Sequence, residues 1–369
     1  MQPADAKPHH LVFVADPQLT DPKSYPGRPW PLADLTIKVT DNYLRRGYSE
    51  LQQQLQPDSL FFLGDLFDGG REWATPNADF EDAKWATPYP SGEKDYAPLW
   101  RKRYGQDYWL EEYLRFSDIF FKPYYDEDTI DPGAESTGRR LVAGLPGNHD
   151  LGFGSMVKVP VRDRFAAYFG EANRVDVVGN HTIVSVDTVS LSAGTSEQAK
   201  TEDLKHIHGP ADEFLRGVKN AKRRVVQEEL RFWRHDPVES QLDPTVTDAQ
   251  QKRDAPPPGP QAEVAVADLP TILLTHVPLY RAPGTPCGPL REHWPPSKPD
   301  ADGVPPAVDH RNAISVTSGF QYQNVLNPAD SAKLLDSVGG VKHVFSGDDH
   351  DYCEVKHEGG ATEITVKSI

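Results

Sequence analysis

The stretch Ser59-Leu60-Phe61-Phe62-Leu63-Gly64-Asp65-Leu66-Phe67-Asp68 decides the fold: an apolar run stops at a glycine, and carboxylates follow at once. A short apolar run of this kind suits a strand covered on both faces, so the polar residues after it lie on a loop beyond the strand end. Four more stretches repeat the arrangement. Leu11-Val12-Phe13-Val14-Ala15 precedes Asp16-Pro17-Gln18, and Leu141-Val142-Ala143-Gly144-Leu145 precedes Gly147-Asn148-His149-Asp150. Thr271-Ile272-Leu273-Leu274 precedes Thr275-His276, and Val344-Phe345-Ser346 precedes Gly347-Asp348-Asp349-His350. Strand ends that converge on one sheet rim bring these carboxylates, amides and imidazoles together, where they can hold a pair of metal ions. One such cluster alone reads equally as a helix cap or a closed turn; five in order read as a site.

The clusters run from residue 16 to residue 350 of 369, which predicts one catalytic domain over 1–369 with loop insertions. A formal charge of −16 repels nucleic acid, and the short basic run Lys222-Arg223-Arg224 reads as a solvated helix face. No stretch approaches the roughly eighteen apolar residues that span a bilayer, and Met1-Gln2-Pro3-Ala4-Asp5 lacks the apolar region of a secretory signal. The strand-like end Glu363-Ile364-Thr365-Val366-Lys367-Ser368-Ile369 looks cut, which suggests a soluble piece of a longer chain. Cys353 lies three residues after His350 and Cys287 eleven after His276, so a rim shared by both clusters brings the sulfurs close; a disulfide in an oxidising compartment and two free thiols both fit that spacing. Asn180-His181-Thr182 is an N-glycosylation triplet.

Three insertions are read between the clusters. Residues 71 to 138 are rich in aromatics, with a helix over 107 to 121; residues 235 to 268 are rich in Asp, Gln and Pro and read as a mobile loop; residues 281 to 324 are proline-rich and fold over the rim as a lid. A helix is expected over 158 to 169, a hairpin about Gly179-Asn180, and a long helix over 210 to 233 that opens at Gly209-Pro210.

Hydrolysis of a phosphate ester needs an ionised water and a sink for charge on the phosphoryl group, and two divalent ions about 4 Å apart supply both. The ligand set that the resemblance of these motifs to the calcineurin-like metallophosphoesterases implies, Asp16, Gln18, Asp65, Asn148 and Asp348 against only His276 and His350, is rich in oxygen, which favours Mn²⁺ or Mg²⁺ over Zn²⁺. Asp349 competes with Asp348 for the ligand position only with its side chain turned off-register.

These motifs resemble the calcineurin-like metallophosphoesterase superfamily, whose pattern is D-x-H, G-D-x-x-D, G-N-H-D/E, a lone His, and G-H-x-H. The resemblance implies a four-layer αββα sandwich of two mixed sheets with a dinuclear site at one edge. Asp65 would bridge both metals, Asp16 and His350 would bind the first, and Asn148 and His276 the second. His149 would face the phosphate as proton donor, with Asp150 orienting it, and Asp68 and Asp349 would stand behind the ligands. The sequence departs from the pattern at Gln18 and Asp348, each standing where the family has His.

The longer strings Val14-Ala15-Asp16-Pro17-Gln18, Gly64-Asp65-Leu66-Phe67-Asp68-Gly69-Gly70-Arg71 and Ser346-Gly347-Asp348-Asp349-His350-Asp351-Tyr352-Cys353 are similar to the fungal cell division control and post-GPI-attachment phosphoesterases. That resemblance implies a membrane-tethered enzyme of the endoplasmic reticulum and Golgi, its catalytic domain in the lumen and Mn²⁺ at its site. Its reaction removes an ethanolamine-phosphate branch from a mannose of the GPI-anchor glycan. Arg71 or Arg291 is expected near phosphate and Tyr322 near sugar. The alternatives are a nuclease of the DNA-repair type, which the charge opposes, and a decayed protein-binding scaffold, which has no use for His149.

Overall fold

The computed structural model describes residues 8–75, 104–126, 140–233, 268–295, 297–304, 309, 311–316 and 323–369. Tyr322 and residues 235–267, with much of 71–138, lie outside them. Strand β1 (Leu11–Val14), helix α1 (Leu32–Leu55) and strand β2 (Ser59–Phe62) form the first crossover. Helix α2 (Gln106–Phe116) runs on through a π-helical turn over Ser117–Phe121 and precedes β3 (Arg140–Val142). These strands make a parallel sheet in the order β1-β2-β3. Two shorter segments follow, α3 (Asn148–Leu151) and α4 (Val159–Phe169).

The second sheet is mixed and has six strands. It begins with the hairpin β4 (Arg174–Val178) and β5 (His181–Ser185), whose turn residues Gly179 and Asn180 have φ of 54° and 63°. Positive φ at both central residues is what a type I′ hairpin turn demands, and Gly-Asn supplies it cheaply. After α5 (Thr188–Leu191) and α6 (Lys205–Trp233) come β6 (Thr271–Leu274), α7 (Pro328–Val338), β7 (Val341–Ser346), β8 (Cys353–Lys356) and β9 (Thr362–Thr365). Their order is β4-β5-β6-β7-β9-β8, with β5, β6, β7 and β9 parallel.

Side-chain alternation shows how the layers stack. Phe13 and Phe61 share one apolar cluster with Ile183, Leu274 and Phe345 of the other sheet, and the Phe13 and Phe345 rings stack 4.2 Å apart. Leu60 and Phe62 face the opposite way, where Phe62 packs on Phe116 and Phe120, 5.3 Å from each. Tyr48 of α1 meets Phe120 edge-on at 5.0 Å. On the outer face of the second sheet Val184, Leu273 and Val344 share a core with Leu215 and Val218 of α6 and Leu334 and Val338 of α7. The result is helix, sheet, sheet, helix. All four β2 residues are buried, each phenylalanine contributing about 2 kcal/mol by leaving water.

Two readings are corrected. The long helix starts at Lys205, so Pro210 lies inside it and leaves the His206 carbonyl without its helical donor. Arg162 compensates: its guanidinium donates to His206 O at 3.2 Å and to Ile207 O at 2.7 Å. Lys222 is buried instead of solvated, donating through Nζ to Thr271 Oγ1 and to the carbonyls of Val338 and Gly339 at 2.8–2.9 Å. It ties the end of α7 to the sheet.

Candidate metal centre

Seven non-glycine residues among those described have positive φ, and five of them are expected ligands: Asp16 (49°), Gln18 (35°), Asp65 (51°), Asp348 (71°) and His350 (56°). The other two close helix α1 and the β4–β5 hairpin. Left-handed backbone costs an ordinary residue on the order of 1 kcal/mol and persists only where surroundings enforce it. Here it turns each chain sharply as it leaves a strand, throwing the side chain back over the rim.

Asp16, Asp65 and His276, all buried, place one ligand atom each within 4.8 Å of one another. His276 Nδ1 lies 2.8 Å from Leu63 O, so that nitrogen carries a proton and Nε2 is the atom turned inward to the carboxylates. His276 Nε2 stands 3.3 Å from Asp65 Oδ1 and 3.5 Å from Asp348 Oδ1, buried and without a hydrogen-bond partner; Asp348 Oδ2 is orphaned in the same way. Gln18 Nε2 donates to Asp65 Oδ2 at 2.9 Å, and Asn148 Nδ2 to Asp348 Oδ1 at 2.5 Å. The Asp348 amide donates to both Asp16 oxygens at 3.0 and 3.1 Å. His350 is exposed; it feels the charges of Asp65 and Asp348, but its ring is not among the clustered ligand atoms of Asp16, Asp65 and His276. Two glycines make the approach possible. A Cβ on Gly147 would fall 1.9 Å from Asp65 Oδ1, and one on Gly64, at φ 96°, would fall 2.6 Å from His276 Nδ1.

The electrostatics ask for cations. Burial pushes the Asp16 carboxyl well above the usual range. Asp65 is equally buried, yet the imidazoles of His276 and His149 outweigh burial and hold it below. Burial acts against charging His276, but Asp65, Asp348 and Asp16 together drive its pKa well up. A buried group of three carboxylates with one imidazole and two orphaned ligand atoms fits divalent metal ions, which would neutralise the acids and take the free lone pairs. Asp16, Asp65, Asp348 and His276 would hold them, with Gln18 and Asn148 in contact with Asp65 and Asp348.

The acid expected to orient His149 needs correcting. His149 Nδ1 lies 2.8 Å from Asp68 Oδ1 and 2.8 Å from Asp68 O, so Asp68 orients it. Asp150 instead accepts the backbone amides of Gly147 (2.8 Å), Leu66 (3.1 Å) and Phe67 (3.1 Å). A carboxylate that near three amides is saturated by them and turns away from the imidazole. His149 Nε2 faces the centre, 4.0 Å from Asp65 Oδ2. Burial works against charging His149, but Asp65 and the Asp68 contact raise its pKa overall.

The substrate contacts fare differently. Arg71 Nη1 donates to His149 O at 3.2 Å, beside the site, whereas Arg291 is occupied by Asp351 at 2.8 and 3.0 Å. Tyr322 lies outside the described residues. Asp349 pairs with buried Arg281 and accepts from Asn324 at 2.8 Å. Cys287 and Cys353 form a disulfide. Sequence reading missed Arg281 and the fully buried Glu363, which accepts from Leu279 N at 3.0 Å and Ser346 Oγ at 2.8 Å. Neither lies in a motif, and no local signal marks them.

An αββα sandwich whose rim gathers these residues defines a protein of the metallophosphoesterase class. No family model matches the chain. It is similar over 99% of its length to cell division control protein 1 of Saccharomyces cerevisiae, at 32% identity, and over 88% to metallophosphoesterase 1 of Xenopus laevis, at 25%. It spans 53% and 59% of those two proteins, little more than half of each. A solved dimetal phosphatase from Danio rerio aligns over 98% of this chain and 87% of its own at 14% identity and a TM-score of 0.37, too distant to bear on the fold. With these motifs in order over nearly the whole chain, both relatives support the resemblance to the calcineurin-like metallophosphoesterase superfamily.

Proposed function

We propose that the chain is the catalytic domain of a metal-dependent phosphodiesterase that removes an ethanolamine-phosphate branch from a mannose of the GPI-anchor glycan. The observation that carries the hydrolytic reading is the buried, unpartnered Nε2 of His276 facing Asp65 and Asp348, with the His149 imidazole set over the same centre. Two divalent ions bound there, Mn²⁺ by the oxygen-rich donor set, supply an ionised water and stabilise phosphoryl charge. The protein's own part is geometric. Gln18 and the His149 amide fix both oxygens of Asp65, each at 2.9 Å. Asp68 fixes one ring proton at Nδ1, and the imidazolium form that Asp65 and Asp68 favour carries a second on Nε2, which faces the centre and can be passed to the departing oxygen.

The substrate reading is carried by the extended motif strings, which resemble the post-GPI-attachment phosphoesterases, and similarity to cell division control protein 1 fits the same resemblance. The Cys287–Cys353 disulfide and the exposed hairpin position of Asn180 suit an oxidising, glycosylating compartment such as the lumen of the endoplasmic reticulum and Golgi. No helix among the described residues is long and apolar enough to cross a membrane, so the expected tether would lie elsewhere in a longer protein.

The deciding assay supplies GPI anchors bearing one ethanolamine phosphate at a time to chelated protein, then restores Mn²⁺. Release of ethanolamine phosphate is expected, lost in Asp65→Asn and lowered about 10²–10⁴-fold in His149→Ala, with metal stoichiometry retained in the latter. Cleavage of DNA at low salt with no release from any anchor would overturn the substrate.

A further inference from the structure

Two carboxylates stand side by side at the end of β7, and only one faces the centre. Asp348 donates its amide to Asp16, and its Oδ1 lies 3.5 Å from His276 Nε2. Asp349, equally buried, points the other way into the guanidinium of Arg281, with Asn324 Nδ2 on its second oxygen at 2.8 Å. Arg281 is 3% exposed, and its Nη1 lies 3.5 Å from Thr365 Oγ1 on β9. We propose that Arg281 is a positioning residue of the metal centre: by engaging Asp349 it keeps that carboxylate out and leaves Asp348 to bind. The inference rests on the metal-centre reading above.

The physical reason is competition. Bound cations attract any carboxylate that can reach them, and Asp349 is one peptide from a ligand on a loop with left-handed backbone at Asp348 and His350. Without its buried partner, Asp349 gains by turning inward. Turning inward would take Asp348 and His350 off their present geometry. The same segment grips this loop twice more, through Cys287 on Cys353 and Arg291 on Asp351, so the loop as a whole stays in place while Arg281 controls the one side chain.

The test is second-site rescue, read by Mn²⁺ titration and by the paramagnetic resonance spectrum of the bound Mn²⁺ pair. Arg281→Met is expected to weaken Mn²⁺ binding about 10–100-fold and to change the spectrum. Arg281→Met/Asp349→Asn, which removes the competing acid as well, should restore both. Unchanged binding in the single variant, or a double variant no better than the single, overturns the proposal. If Arg281→Met does not fold, Asp349→Asn and Asp348→Asn decide: the first must keep the Mn²⁺ pair and the second must lose it, and the reverse pattern refutes the assignment. Asp65→Asn separates the two levels, since wild-type Mn²⁺ binding in that variant would sink the metal centre itself whatever Arg281 does.

Discussion

Both sheets bring ligand loops to the same rim, and a single buried carboxylate stitches each pair of loops, but the two braces are built differently. In the parallel sheet Asp150 joins the Asp65 loop to the Asn148 loop through backbone amides. In the mixed sheet Glu363 joins the His276 loop to the Asp348 loop, and its other oxygen meets His357 Nε2 at 2.7 Å. Burial, then the charge of Asp65, push the Asp150 carboxyl up to about 7, even though its amide bonds pull the other way. An acid answered only by amides is thus sensitive to charge in the metal site, while one paired with an imidazole carries its compensation with it.

The comparison can be broken at its stronger end. Asp150→Ala leaves three buried amides without an acceptor and is expected to cost about 4 kcal/mol at pH 6, read by urea denaturation. The same carboxyl sets a pH trend in chelated protein. Its folded pKa is raised, so its contribution is full below the unfolded value near 3.8 and is lost as pH rises through about 7. Asp150→Asn should flatten that fall in urea midpoint between about pH 4 and 7; a fall as steep as in the parent would remove Asp150 from the account.

A Cβ at Gly147 sharpens the point from inside the parallel sheet. Gly147→Ala meets Asp65 Oδ1 at 1.9 Å and should cost about 3 kcal/mol, with Mn²⁺ binding lost in step. Reduction of Cys287–Cys353, which closes a loop of 66 residues on the mixed-sheet side, is expected to lower stability by about 2–3 kcal/mol, seen as a drop in Tm under a phosphine reductant. The smallest effect belongs to the compensated brace. Glu363→Gln keeps an acceptor for Leu279 N and loses only the His357 pair, so about 1 kcal/mol is expected and Mn²⁺ affinity should barely move.

Much of the candidate site could be read along the chain because polar residues that follow apolar runs announce both the strand and its rim. The braces divide on the same ground. Asp150 sits inside a motif and was visible, although its task was misread, since a carboxylate beside His149 in sequence need not be beside it in space. Glu363 lies on a strand with no motif, and Lys222 looked solvated because three basic residues in a row on a helix do not reveal which one turns inward.

Local order alone determined the strands, the rim and the chemical character of the donor set, because periodicity and the polar residue after each apolar run are properties of neighbours in sequence. Only the tertiary structure decided that Asp68 contacts the His149 ring and that Asp348, not Asp349, faces His276. Such choices turn on partners brought from far away, such as Arg281, 68 residues from Asp349, and a side chain's direction is set by what it meets after the chain has folded.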